Sequence, residues 1–227
     1  MSRSPKGRVT AGHASPRRSV SDARRVQILE AAVDVMAARG LAETRISDIA
    51  ERTGTSPALV VYYFGTKDRL LAEALTYSEE RFYRATSEEL RGIPTATGQL
   101  RRLIELCCSA DGQKVAGIGE WVLWLDMWSR AYRDRDVGRD RELLDRRWRT
   151  TIADIVRRGV DDGEFQRIDP DDFALRLAAL VDGLAIQVVL KDRDVTAARM
   201  LDLCVGMAAR ELGFEAPPSR RRGRRAR

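Results

Sequence analysis

An all-α fold is predicted for this chain of 227 residues by three features. Apolar residues recur at helical spacing through most of its length. No segment sustains the period-two alternation of a strand. Gly, Pro and Asp-Gly breakers cut the pattern into separate lengths. Their arrangement predicts a small module containing a tight helix-turn-helix, followed by a larger helical core. Hydrophobic residues at 44% and charged residues at 33% fit a globular chain long enough to bury a sizeable core.

Residues 1–21 are rich in Ser, Pro, Gly and Arg without periodicity and are expected to form a flexible basic leader. Asp22 is the expected N-cap of a first helix. Val26, Leu29, Val33 and Met36 recur along one face of it, and Gly40 is placed to end it. Two short helices fill 46–64. A fourth starts at Thr66 and runs to about Leu90, with Leu71, Leu75, Ser78 and Phe82 on one stripe, before the loop marked by Gly92, Pro94 and Gly98. Further helices are expected over 99–109, 115–132, 139–160, 170–191 and 196–212, divided by Asp111-Gly112, Gly138, Asp162-Gly163 and the stretch 192–194. The expected organisation is therefore a leader (1–21), a first domain (22–82), a second domain (83–214) and a basic tail (215–227).

Charge is unevenly distributed. Residues 1–70 hold 12 Lys/Arg against 7 Asp/Glu, and residues 215–227 hold 6 against 1, whereas the stretch between holds 22 against 26. A basic N-terminal module on a mildly acidic body suggests that one end meets a polyanion. No run of about 18 apolar residues occurs, so no membrane contact is expected, and the first residues lack the apolar region of a secretory signal. A cytoplasmic chain is expected. Cys107, Cys108 and Cys204 lack metal-ligand spacing and read as buried free thiols. The single histidine, His13, falls in the leader. With no Ser/His/Asp set, phosphate-cradling Gly loop or metal cluster, neither an enzyme, a metal site nor a cofactor is expected.

The segment 46–64 carries the sharpest signal. Two helices of about eight residues pack closely when a small side chain sits at their crossing, and Ala50 supplies it. Four residues on, Gly54 permits the positive φ of a sharp turn. Six further on, Val60 is expected to return to a shared core with Ile46, Ile49 and Leu59. Ser56 suits the N-cap of the second helix and Pro57 its first position. A helix presented in this way fits the DNA major groove with its N-terminal half. Ser56, Pro57, Ala58, Val61 and Tyr62 are expected on its outward face, where Ala58 and Val61 suit a thymine methyl. Arg45, Ser47 and Thr55 flank that face. The hydroxyls of Tyr62 and Tyr63 and the ammonium of Lys67, in the first turn of the next helix, suit phosphates.

The residues Val26 to Met36, Gly40, Ile49-Ala50, Gly54, Tyr62-Tyr63-Phe64, Lys67 and Leu70-Leu71 closely resemble the tetracycline-repressor (TetR) family over about 24–77. The resemblance implies a three-helix DNA-binding domain, a variable helical ligand-binding and dimerisation domain, and a homodimer released from a palindromic operator by a small molecule. The chain departs from the family pattern at Arg45, where Thr or Ser is common, and at Val61, where Tyr is common. The wording of 56–64 is similar to the subgroup that includes the BetI repressors. So are Trp121-x-x-Trp124-Leu-Asp-x-Trp128, Trp148, Gly159-x-x-x-Gly163-Glu-Phe165 and Asp182-Gly183-Leu184. The subgroup carries over fold and dimerisation but not the identity of a ligand.

Trp121, Trp124 and Trp128 fall at i, i+3, i+7 and share one helix face. With Trp148 they are candidates for a pocket taking a flat or cationic ligand, with Glu120 and Asp126 as possible charge selectors, although the same stripe also suits plain core packing. Two apolar stripes, Phe173, Leu177, Leu180, Leu184, Val188 and Leu201, Cys204, Ala208, Leu212, are expected to pair with a second copy in a four-helix interface, with Ala179 and Gly183 allowing close approach. The run 220–227, with Arg17 and Arg18, is a candidate for added sequence-independent DNA contact. Two functional classes stand at this point. One is a ligand-responsive repressor; the other is a ligand-independent DNA-binding or architectural protein with the Trp cluster as solid core.

Overall fold

Nine helices and no strand are formed by the residues that the computed structural model describes, 16–108, 121–133 and 135–215. They are α1 (Pro16–Glu43), α2 (Ile46–Thr53), α3 (Pro57–Phe64), α4 (Lys67–Arg91), α5 (Ala96–Cys108), α6 (Trp121–Ala131), α7 (Arg135–Asp161), α8 (Pro170–Val189) and α9 (Ala197–Leu212). No described helix is long and apolar enough to cross a membrane. His13, the break at Asp111-Gly112, Glu120 and the run 220–227 lie outside the described residues.

Two hydrophobic cores form. The first joins Ile28, Met36 and Leu41 of α1, Ile49 and Ala50 of α2, Val60 and Phe64 of α3, and Leu70, Leu71 and Ala74 of α4. The second gathers Leu100 and Ile104 of α5, Ile152 and Val156 of α7, Phe173, Leu177 and Val181 of α8, and Met200, Cys204 and Leu212 of α9. α4 belongs to both, since its first turns bury Leu70 and Leu71 in one core and its last buries Leu90 in the other. With 25 residues it spans roughly 37 Å without a break at Phe82. Thr66, Asp169 and Thr196 start α4, α8 and α9, each side chain accepting a hydrogen bond from a backbone N–H of the first turn.

α1 begins at Pro16, earlier than its expected start at Asp22. A proline fits a first helical position, where its missing N–H removes no helical bond. Along the predicted face, Val26 is exposed and Ile28 is buried instead. Gly40, at φ 79°, ψ 162°, ends the first helical stretch as expected, and a short second stretch follows across this kink to Glu43. The helix resumes because Leu41 is seated in the first core. Gly138 does not divide two helices but lies inside α7. A lone glycine costs a helix about 1 kcal/mol, which the long flanking segments outweigh.

The motif Gly159-x-x-x-Gly163-Glu-Phe165 locks the end of α7 to the start of α5. Gly159 lies against the Phe165 ring and Ala96, and Gly163 turns the chain at φ 77°. The Glu164 carboxylate then accepts the N–H groups of Ala96 (2.8 Å) and Thr97 (2.9 Å). Burial works against that carboxylate, but these two backbone bonds prevail and hold its pKa below the ordinary range.

Candidate DNA-reading surface and effector cavity

The helix-turn-helix is built by local chemistry. Gly54 ends α2 at φ 62°, ψ 33°, its N–H bonded to the Ala50 and Glu51 carbonyls, and the Thr55 N–H reaches the Ala50 carbonyl at 2.9 Å. Ser56 starts α3, its hydroxyl accepting the Leu59 N–H at 3.2 Å, and Pro57 takes the first position. Val60 and Phe64 are buried beneath α3. Leu59 is not in that core: it is 36% exposed, because the α3 face toward α2 is set by Val60 and Phe64, four residues apart. Arg25 ties the unit together. Its guanidinium lies 4.5 Å from the Phe64 ring, donates to the Tyr63 carbonyl at 3.1 Å and pairs with Glu73.

Arg45, Ser47, Ser56, Pro57, Ala58, Val61 and Tyr62 are exposed. Tyr62 is 81% exposed, with its ring and hydroxyl free to meet a partner. Tyr63 is half-buried against the first core and meets Tyr62 edge-on at 5.5 Å. The Thr55 hydroxyl is engaged with that of Thr53 (2.9 Å). Lys67 is half-buried and donates from Nζ to the Ala42 carbonyl at 3.2 Å, so its ammonium is tethered beside the start of α4.

A cavity of about 280 Å³ lies where α4, α6, α7 and α8 converge. Trp121, Trp124 and Trp128 of α6 line it, together with Trp148 of α7 and Phe82 and Tyr83 of α4. The three α6 rings form a near-equilateral triangle, with centroids 6.5, 6.4 and 6.5 Å apart and planes tilted by 44–52°. The Trp121 indole donates to the Cys107 carbonyl at 3.2 Å, which fixes its orientation. Trp121 and Trp148 also pack against the second core. The Trp stripe is therefore part core and part cavity wall.

Sequence reading missed the carboxyls of this cavity: Glu79, Asp145 and Asp182, with Arg141 and Arg149 among them. Burial pushes the Glu79 carboxyl up to about 8 despite the pull of Arg147. Burial, reinforced by the Asp145 carboxylate, pushes Asp182 up to about 7. Asp145 itself is raised, again chiefly by burial. A signal for Glu79 was present, since Leu75, Glu79 and Phe82 fall at i, i+4, i+7 and set a carboxylate into an apolar face. Asp126 is not a charge selector. It faces away from the cavity, and its carboxylate accepts the Leu41 N–H at 2.8 Å, joining α6 to the kinked end of α1. The three cysteines are free and buried. Burial raises the Cys107 thiol, and a hydrogen bond with Cys204, then burial, raises Cys108.

The two apolar stripes expected to meet a second copy cover each other instead. Phe173, Leu177 and Leu184 of α8 and Cys204, Ala208 and Leu212 of α9 are buried in the second core of the same chain, with Leu180, Val188 and Leu201 packed at its edge. Periodicity shows which face is apolar but not what covers it.

A short helix presenting exposed side chains beyond a sharp turn, joined by one continuous helix to an aromatic cavity, is the architecture of a transcriptional regulator with its reading head and cavity in one chain. The chain matches the family described as bacterial regulatory proteins, tetR family, over residues 28–74, and the BetI-type transcriptional repressor C-terminal family over 96–213. It belongs to the TetR family of transcriptional regulators and carries a BetI-type C-terminal domain. It is similar to the transcriptional regulator BetI of Cronobacter sakazakii, with 25% identity over 89% of this chain and 97% of that one. A putative transcriptional regulator from Saccharomonospora viridis, solved in complex with choline, superposes with a TM-score of 0.75 at 34% identity, covering 84% of this chain and 98% of that one. A putative TetR-family regulator from a Rhodococcus species gives a TM-score of 0.70 at 27% identity over 84% of this chain and 99% of that one. These families and relatives are transcriptional regulators, not enzymes.

Proposed function

We propose that this regulator is a homodimeric repressor that holds a palindromic operator with α3 of each protomer and releases it when a small organic cation enters the cavity. The observation that carries the ligand part is the triangle of Trp121, Trp124 and Trp128 with buried carboxyls of Glu79 and Asp182 on the same cavity. A cation seated over the triangle falls within about 6 Å of all three ring centroids, close enough for attraction by each ring. The choline found in the relative from S. viridis supports the same class. The volume suits a small molecule. The stearoyl-CoA of a Bacillus subtilis relative, 19% identical, belongs to a protein that shares only the fold. The alternative of a solid Trp core is less favoured, because all four tryptophans border the cavity, although Trp121 and Trp148 also pack against the second core.

On the DNA side, the exposed Ser56, Pro57, Ala58 and Val61 suit base edges in the major groove. Arg45, Ser47, Tyr62 and Tyr63 suit the backbone, as do Lys67 and Thr55 once their internal bonds are exchanged for phosphate. On this reading the protein works in the cytoplasm, beside the genome. Capture of genomic fragments by the purified chain tests the reading. The bound fragments are expected to share an inverted repeat, and choline is expected to release them. Tyr62→Ala is expected to weaken binding about tenfold, the loss of one backbone or base contact of ~1–3 kcal/mol, with an unchanged circular dichroism spectrum. Fragments without a common repeat, or full affinity in Tyr62→Ala, would sink it.

A further inference from the structure

Of the three arginines that act on the carboxyls of the cavity, Arg141 and Arg147 are already engaged with other groups. Glu79 projects from α4, and its Oε1 is buried without a hydrogen-bond partner among the described residues. Arg147 of α7 is the cation that acts on it most, but that guanidinium pairs with Glu80 at 2.8 Å and lies 3.9 Å from the Tyr83 ring. Across the cavity, Asp182 of α8 faces Arg141 and Arg149 of α7. Arg141 is held by Asp145 at 2.7 Å, and Asp145 adds its own negative charge toward both Glu79 and Asp182. The remaining titratable groups packed here are the Tyr83 hydroxyl of α4 and the Cys107 thiol of α5, both pushed up by burial and neutral. α6 contributes aromatic rings, Met127 and no charge to the lining. A carboxyl in such a place ionises only at a large desolvation cost unless a positive charge is brought to it.

We propose that the cavity takes up its cationic effector in exchange for protons, with Glu79 and Asp182 as the carboxyls that release them to solvent. This rests on the cationic reading of the pocket and adds its regulation. At neutral pH both groups hold protons to a large extent, consistent with their raised pKa values. An organic cation over the tryptophans stabilises the carboxylates, so each group that ionises on binding sends one proton to the buffer. Affinity then rises with pH, by up to tenfold per pH unit for each proton released. The regulator senses its effector more weakly in an acidified cell than in an alkaline one.

Isothermal titration of the full chain with choline, in buffers of different ionisation enthalpy, reads the protons released directly. Between pH 6 and pH 8 the affinity is expected to rise by at least about tenfold, with net proton release near pH 7. The uncharged carbon isostere of choline, with carbon in place of the ammonium nitrogen, is expected to bind weakly and without pH dependence. Glu79→Gln is expected to remove about one proton from the count and to flatten the profile. If choline binds with the same affinity at both pH values and releases no protons, the exchange is overturned while the cationic reading survives. If the isostere binds as well as choline, or choline does not bind at all, the cationic reading itself fails. The proton count on the unmodified chain decides the matter even if Glu79→Gln does not fold.

Discussion

A Cβ added to Gly159 would overlap the Phe165 ring and stand 2.9 Å from the Ala96 Cβ, in a spot where three elements meet. The ring is 5% exposed and abuts Phe214 at 5.7 Å, so it has nowhere to move without opening the second core. Gly159→Ala should therefore destabilise through overpacking, by about 1–3 kcal/mol, although alanine is the better helix former. For a chain of this size that is a fall of roughly 2–12 °C in melting temperature by calorimetry. An unchanged or higher melting temperature would mean that the lock between α7 and α5 relaxes freely. Glu164, next to that ring, carries a linked consequence. Its lowered pKa stabilises the fold above the ordinary carboxylate range, and that stability is lost as pH falls through the folded value.

At the level of elements, α6 and α4 are the two connections between cavity and reading head. α6 turns its tryptophans to the cavity and its Asp126 to α1, where the carboxylate holds the Leu41 N–H just past the Gly40 kink. The next carbonyl, that of Ala42, accepts Lys67 from the start of α4, and Thr44 leads into α2. On the proposed reading, a shift of α6 on ligand entry would be passed to the end of α1 in part through this hydrogen bond. Asp126→Ala is expected to keep choline affinity within about twofold, since Asp126 does not line the cavity. It should also abolish most of the ligand's effect on operator affinity, which for coupled sites is typically about 5–150-fold. Full release of DNA by choline in Asp126→Ala, read by fluorescence anisotropy, would refute that route. The legibility of these elements in sequence followed their range. Gly54, Ser56 and Pro57 act on neighbours within five residues, so the bounds of α2 and α3 could be read directly. Asp126 meets Leu41 across 85 positions, and Glu79 and Asp182, more than 100 positions apart, line one cavity, so only packing reveals those relations. The apolar stripes of α8 and α9 were visible, but their mutual burial was not, because a period carries no information about the covering partner.

For the whole molecule, the residue left unexplained by the single chain is Gly183. It sits in the middle of α8, where glycine costs about 1 kcal/mol relative to alanine, and a Cβ there would meet nothing within 4 Å. On the same face lie Leu175, 51% exposed, and the exposed Ala179, both of which also border the effector cavity, and Leu190, 70% exposed, at spacings of four, four and seven. This outer face of α8 is distinct from the inner one that α9 covers. A small residue at its centre suits close approach of a second α8 related by a twofold axis. Such a pair would set the two α3 helices about one DNA turn apart, ~34–36 Å. Gly183→Gln separates the two roles of the position. Inside the protomer it has room and improves helix propensity, so the isolated fold should be at least as stable. Between protomers a longer side chain wedges the helices apart. The expected result in sedimentation equilibrium is a monomer where the unmodified chain is a dimer. Operator affinity should fall at least about tenfold, because each half-site is then bound without the other's contribution to effective concentration. A Gly183→Gln protein that stays dimeric at the same concentration would move the contact to another face and leave the glycine without a reason.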